Sequence, residues 1–308
     1  MNTSIILLLT STIRLVTPVM IASVGVLFCE RCGVQNLGIE GTISFGAFAA
    51  FITSYLTGNA WLGVLGGIVV GAFVGLLHSL ICVEFGGKQA ISGLGINMLA
   101  NGFTAYMIRT LFQSTISGQA ESIQQSPIFK DLPVIGGVLS QFSPLTYLGF
   151  LLVPIAYVVL EKTTLGLRIK AAGDKPVTLE TAGVNLWNLR HLCVMLCGAL
   201  GGLAGAYLSI GQMNRFVTGM VASYGMLSLV AVKMGNWKPF SIMLSSLLFG
   251  VCDALQLQLQ IRQNFPIPTE IVQMLPYVVG FVVLAVFSKQ SAAPASGGVP
   301  YVKNKYKV

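Results

Sequence analysis

Apolar residues run through this chain in long unbroken blocks, not in the spaced stripes of a water-soluble helix. Nine blocks stand out, at about residues 8–28, 38–57, 61–83, 90–112, 144–161, 191–210, 218–235, 239–259 and 271–288, with the seventh the weakest. Each is near the roughly 20 residues that a helix needs to cross about 30 Å of hydrocarbon. The pattern predicts an all-α fold, a polytopic transmembrane helical bundle of about 8–10 spans. The opening segment MNTSIILLLTSTIRLVTPVMIAS has neither a basic leading region nor a clean small-residue cleavage site, so it reads as the first span and not as a secretory signal. No polar stretch between blocks is long enough to fold independently. The expected organisation is one transmembrane domain over 1–288 and a tail over 289–308.

The most informative polar interruption is Thr163–Arg190, TTLGLRIKAAGDKPVTLETAGVNLWNLR. Asp174 is placed to cap a short helix from about Lys175 to Ala182, with Pro176 in its first turn and Gly183 closing it. Pro176, Leu179 and Ala182 would share one face. Two turns of amphipathic helix are not stable alone, so this one needs contacts with its own membrane domain or with a soluble partner. The second option implies a transporter energised from outside the chain.

Composition agrees with the block pattern: 54% of residues are hydrophobic and 9% charged, with a mean hydropathy of +0.79, outside the range of ordinary soluble domains. The net charge of +8 comes from basic residues scattered singly, not from the stripe that nucleic acid would require. Topology accounts for them. With the 162–190 loop in the cytoplasm, only Arg14, Arg109, Lys130, Arg215 and Arg262 of the 18 Lys and Arg fall on the other side. This bias puts the N-terminus outside and the C-terminus inside. The loop at 113–143 then lies outside, where it can pack on the outer mouth or offer a footprint to a binding protein. The tail, small-residue-rich and then basic, reads as a disordered end near anionic membrane lipid.

Of the six cysteines, Cys82, Cys193, Cys197 and Cys252 lie in apolar blocks and read as small hydrophobes. Cys29 and Cys32 have C-x-x-C spacing, but without a second pair they read as small residues at a helix end, and no metal site is expected. A chain with its own ATPase would carry G-x-x-x-x-G-K-[ST]; Gly86-Gly87-Lys88 is followed by Gln89 and lacks the upstream glycine. There is no H-E-x-x-H and no G-x-S-x-G, and the only histidines are His78 and His191, which argues against a hydrolytic or zinc enzyme and predicts no catalytic residues.

What remains is a set of polar residues within or beside the spans: Asn36 and Glu40, then Gln89, Asn97 and Asn101, and Asp253 with Gln256 and Gln260 on its face. An ionised carboxylate in a bilayer costs on the order of 3 kcal/mol even on the lenient insertion scale. Glu40 and Asp253 are therefore candidates for a translocation pathway, with a structural hydrogen bond as the alternative. Asn97 and Asn101, one turn apart, fit either solute recognition or interhelical packing. His78 and Lys233 read as satisfied or snorkelling groups. The stripes Gly67-x-x-x-Gly71-x-x-x-Gly75, Gly198-x-x-x-Gly202 and Gly201-x-x-x-Gly205 predict close helix approach, within one subunit or between two.

The segments ERCGVQNLGIEG, QAISGLGINMLANG, TTLGLRIKAAGDKPVTLETAGVN, GALGGLAGAYLSIG, VAVKMGNWKP and LLFGVCDALQLQLQ, in this order, resemble those of permease subunits of bacterial ABC importers of the branched-chain amino acid and simple-sugar class, most closely the nucleoside-uptake branch. The resemblance covers nearly the whole chain. It implies that Gly173, Asp174, Pro176, Glu180, Thr181 and Gly183, together with the apolar Leu179, belong to a coupling loop that docks a cytoplasmic ATPase. It also implies a second related permease subunit, an extracytoplasmic solute-binding protein, a place in the bacterial plasma membrane, and ATP held by the partner, with no cofactor on this chain. One departure concerns substrate: FVTGMVASYGM puts Tyr224 where a basic residue is usual, which makes Tyr224 a further pathway candidate. Import of a simple sugar or branched-chain amino acid is the alternative within this class. The rival class, an ATP-independent secondary transporter, calls for paired midplane carboxylates, and only Glu40 and Asp253 lie well inside spans.

Overall fold

Every residue from Leu15 to Glu30 is buried, so the first helix is the axis of the molecule and not a peripheral span. The computed structural model describes residues 2–123, 141–261, 268–287 and 293–299. Its helices are α1 (Asn2–Arg31), α2 (Ile39–Thr57), α3 (Ala60–Ser79), α4 (Gln89–Phe112), α5 (Pro144–Lys162), α6 (Thr164–Asp174), α7 (Pro176–Thr181), α8 (Leu186–Ala206), α9 (Tyr224–Met234), α10 (Pro239–Ile261), α11 (Thr269–Gln273) and α12 (Leu275–Phe287). Wider π-type turns extend α3 through Leu80–Glu84 and α8 through Tyr207–Met213. α1 packs against α8, α9, α10 and α5, and α3 against α2 and α8.

Pro18 lies inside α1 and cannot donate to the Arg14 carbonyl four residues back. The Tyr207 hydroxyl donates to that carbonyl instead, at 3.1 Å. A backbone group freed at membrane depth thus has a partner on the neighbouring segment, as the hydrocarbon environment demands.

The glycine stripes pack within the subunit. A side chain on Gly202 would fall on the carbonyl oxygen of Gly67, and one on Gly198 on that of Gly71, so α3 and α8 touch backbone to backbone. Gly46 brings α2 onto Gly202 from another side, and Gly205 approaches Ile43 and Ala47. Each missing Cβ is replaced by a neighbouring main chain.

Among the described residues, six helices are long and apolar enough to cross a membrane: Ile6–Arg31, Ile39–Thr57, Ala60–Glu84, Pro144–Lys162, Leu186–Met213 and Pro239–Gln260. The nine sequence blocks divide for physical reasons. α4 has 24 residues, but Gln89, Asn97, Asn101 and Arg109 lower its hydropathy. The block at 218–235 holds a turn and then the 11-residue α9. The block at 271–288 is split by Met274 into parts of the short α11 and the 13-residue α12.

Two further expectations change. The loop between α5 and α8 contains a second helix, α6, which buries Gly166, Ile169, Ala172 and Gly173. Residues 293–299 of the tail are docked and not free: Ser296 donates its backbone N–H (2.8 Å) and its hydroxyl (2.6 Å) to the Gly173 carbonyl. Gly298 N–H reaches the Gly33 carbonyl at 3.3 Å. The basic end at 300–308 and residues 124–140 of the loop with Pro127 and Pro133 lie outside the described residues.

Candidate functional site

The loop from Thr163 to Arg190 is built on α6. Thr163 caps that helix by accepting from the Gly166 N–H at 3.2 Å. Gly166 lets α6 lie on the α5 backbone at Leu160, and Gly173 lets its far end meet the Arg31 carbonyl. Asp174 is the exposed last residue of α6 and does not cap the helix that follows; Lys175 precedes α7 with no side-chain cap bond. The cap expected at Asp174 is displaced because α6, which begins at Thr164, absorbs Asp174 as its last residue. α7 is Pro176–Thr181, one residue shorter at each end than the expected 175–182.

Of the expected shared face, Leu179 is buried, Pro176 half-buried and Ala182 exposed. Gly183, at φ +79°, ends the helix: its N–H bonds the Glu180 carbonyl at 2.9 Å and Val184 N–H returns to Leu179 at 3.3 Å. Thr178, Thr181, Ala182 and Gly183 remain exposed, with Glu180 half-buried beside them. They border a cleft of about 460 Å³ lined by Val177, Glu180, Thr181, Gly183, Val184, Asn185, Leu186 and Trp187. A short helix pinned by one buried leucine and edged by a cleft is a shape that a protein partner can grip.

The polar residues of the spans fall into two groups. The first holds the turn between α1 and α2. Gln89 accepts from the Gln35 N–H at 2.7 Å, and His78 Nε2 faces the Gln35 carbonyl at 3.1 Å. Because a carbonyl only accepts, His78 carries its proton on Nε2, and its neutral Nδ1 accepts from Ser92 Oγ at 2.9 Å. Asn36 accepts from Gly38 N–H at 3.0 Å with its amide nitrogen 3.6 Å from Cys197 Sγ. Asn97 accepts from Gly41 N–H at 2.7 Å and donates to the Leu37 carbonyl at 3.0 Å. The orphan N–H groups that open α2 are thus capped from α4.

The second group gathers at the start of α9. Glu40 Oε1 accepts from the Ser223 N–H at 3.3 Å, a carboxylate at a helix N-terminus. Gly225 lets α9 press on the Glu40 backbone, and the next ring in line, Tyr224, is half-buried with Asp253 within Coulombic range. Lys233 is exposed at the other end of α9. Cys29 and Cys32 are buried and face Cys197 and Cys193 of α8.

Asn101 parts company with Asn97: it is exposed, on the side of α4 turned away from the core. A different face of α4 carries a cluster that sequence reading missed. Phe103 packs on Phe45 (5.8 Å) and Phe48 (6.0 Å), and Phe48 on Phe216 (5.7 Å), with Phe103 itself 41% exposed. The signal was Phe45 and Phe48 three residues apart on one face of α2.

The two asparagines therefore separate experimentally. Asn97→Leu leaves a buried N–H and a carbonyl unpaired, with an expected cost of about 2–4 kcal/mol and a lowered melting temperature in detergent. Asn101→Leu is expected to leave the melting temperature unchanged and to lower uptake. Equal thermal stability of the two variants would contradict the division.

The family model described as "Branched-chain amino acid transport system / permease component" matches residues 8–284. The nucleoside ABC transporter permease protein NupC of Lactococcus lactis subsp. cremoris is 33% identical over 94% of this chain and 94% of its own length. The guanosine ABC transporter permease protein NupQ of Bacillus subtilis is 30% identical over 96% of each. The putative glucose ABC transporter permease protein TsgC13 of Haloferax volcanii is 34% identical over 82% of this chain and 78% of its own. The first two organisms each have a companion permease that also matches, NupB at 26% over 94% of this chain and 82% of its own, and NupP at 24% over 90% and 80%. The chain belongs to this family of membrane permease components of ABC transport systems. It is a transport subunit, a multi-pass membrane protein, and a member of a group in which permeases occur as pairs.

Proposed function

We propose that this chain forms half of the solute pathway of an ATP-driven nucleoside importer in a bacterial plasma membrane. ATP is bound and hydrolysed by a separate cytoplasmic ATPase that grips α7 and its cleft, so the 163–190 loop and the docked tail lie on the cytoplasmic side. A second, related permease supplies the other half, and an extracytoplasmic binding protein delivers solute to the opposite end.

The observation that carries the solute class is whole-length similarity to permeases named for nucleosides and guanosine. A second reading, import of a simple sugar, is favoured by the similarity to a putative glucose permease. Uptake of labelled guanosine, ribose and leucine, in cells lacking this gene and then complemented with it, separates the two. A defect confined to guanosine and rescued by the chain is the expected result; a defect confined to ribose would establish the sugar reading in its place.

A further inference from the structure

A cavity of about 390 Å³ lies inside this subunit, between α1, the start of α5 and the π segment after α8. Arg14, Ser143, Thr146, Tyr207, Gln212 and Asn214 supply most of its polar groups. We infer that this cavity is a nucleoside-binding site, held within one subunit, in which Arg14 meets the acceptor edge of the base and Gln212 accepts a hydroxyl or amine proton of the solute. The inference deepens the nucleoside reading above and rests on it.

Position comes first. Arg14 stands seventeen residues before Arg31 on one continuous helix, about 25 Å along the axis. Arg31 abuts Gly173 of the 163–190 loop, so the cavity opens at the end of the bundle remote from that loop. α5 and α8 agree: Ser143 and Thr146 begin α5 and Gln212 follows α8, whereas the loop joins their opposite ends. On the orientation proposed here this is the side from which solute arrives.

The chemistry of the lining then points to a ligand. Arg14 is half-buried inside a span, and among the described residues no carboxylate lies within ion-pair distance of it; its one recorded bond donates from Nη2 to the Gln141 carbonyl at 3.2 Å. A guanidinium has five N–H groups, so donors remain available. An ionised residue within a span marks a watery cavity or a solute path. Among the described residues Gln212 Oε1 is buried without a hydrogen-bond partner, an acceptor lacking a donor. Tyr207 is committed, because its hydroxyl replaces the N–H that Pro18 cannot provide, and this fixes one wall. Ser143 and Thr146 add two hydroxyls 3.4 Å apart. Spare donors on one side, a spare acceptor on the other and a volume within the range of small-molecule pockets fit a neutral solute with both a carbonyl-bearing base and hydroxyl groups. Leucine lacks the hydroxyls, and ribose lacks the flat acceptor edge for Arg14.

The test uses the complete transporter in lipid nanodiscs without its binding protein, with tritiated guanosine for equilibrium binding and 8-azidoguanosine for photolabelling. Saturable binding is expected, with label on peptides of α1, α5 and the π segment, and Arg14→Gln and Gln212→Leu should each weaken this binding by about tenfold. Thr146→Val, which keeps the shape, carries the same test with a smaller loss if Arg14→Gln fails to assemble. Label confined to α2 and α4, or wild-type affinity in the assembled variants, would overturn the site. Guanosine taken up by cells while the cavity stays unlabelled would remove this inference alone; guanosine neither taken up nor bound would remove the nucleoside reading and the inference with it.

Discussion

Gly202→Val is expected to leave no assembled protein in the membrane. The added Cβ would overlap the Gly67 carbonyl oxygen, while the main chains of Gly46 and Gly71 press on Gly202 from α2 and α3. A flexible side chain could move aside, but a peptide backbone within three helices cannot. Overpacking of a well-filled core costs about 1–3 kcal/mol, and a clash with fixed backbone exceeds that range. Membrane-fraction blotting and size-exclusion chromatography of a fluorescent fusion should both show the loss. Gly102→Ala on α4, where a Cβ meets nothing within 4 Å, is the control and should assemble as the unmodified chain does. Wild-type levels of the Gly202→Val chain would mean that the close α2–α3–α8 junction is wrong.

Glu180→Lys should give the opposite phenotype, an assembled chain that does not transport. Glu180 lines the cleft beside α7, and reversing its charge there sets it against whatever complements it on the ATPase. A loss of ATP-dependent uptake of about tenfold or more is expected, since like charges across an interface cost several kcal/mol. Gly183→Val should act by geometry: a branched residue in the left-handed region is strained by about 1–2 kcal/mol and loosens the end of α7. In both variants the bundle should melt as the wild type does. Unaltered solute-stimulated ATP hydrolysis in both would sink the docking role.

How much of this could be seen in the sequence depends on whether the signal was local. The burial of α1 was not legible, since α3 is more apolar and yet lies largely on the surface, whereas the close helix contacts were, because Gly67, Gly71, Gly75, Gly198 and Gly202 recur at one-turn spacing. The all-α membrane fold and the permease family were legible for the same reason, being properties of long blocks and ordered segments. α6 was hidden: its buried positions Gly166, Ile169, Ala172 and Gly173 have helical spacing, but two are glycines and lysine and arginine stand between them, so it reads as loop. That helix took Asp174 into itself and left α7 without the expected cap. Residues 293–299 look disordered because they are small, yet smallness is what allows Ser296 to reach the Gly173 backbone.

The polar residues were found as types and not as roles. Asn97 and Asn101 share a helix face in sequence, but only the approach of the α1–α2 turn decides that one is a backbone cap and the other is exposed. Glu40 and Ser223 are far apart in the chain and meet because Gly225 lets α9 close on α2. Arg14 was read as one of five basic residues on the outer side; that it borders a cavity follows from Pro18 and Tyr207, which no local pattern connects.

The most direct test of the central claim is guanosine accumulation in proteoliposomes that contain this chain with the companion permease, ATPase and binding protein proposed for it. ATP supplied on the ATPase side should drive uptake against a gradient, and uptake should persist when ionophores collapse proton and sodium gradients. It should also vanish with Glu180→Lys. Accumulation that needs no ATP and disappears with the ionophores would contradict the account and make this chain a gradient-driven carrier.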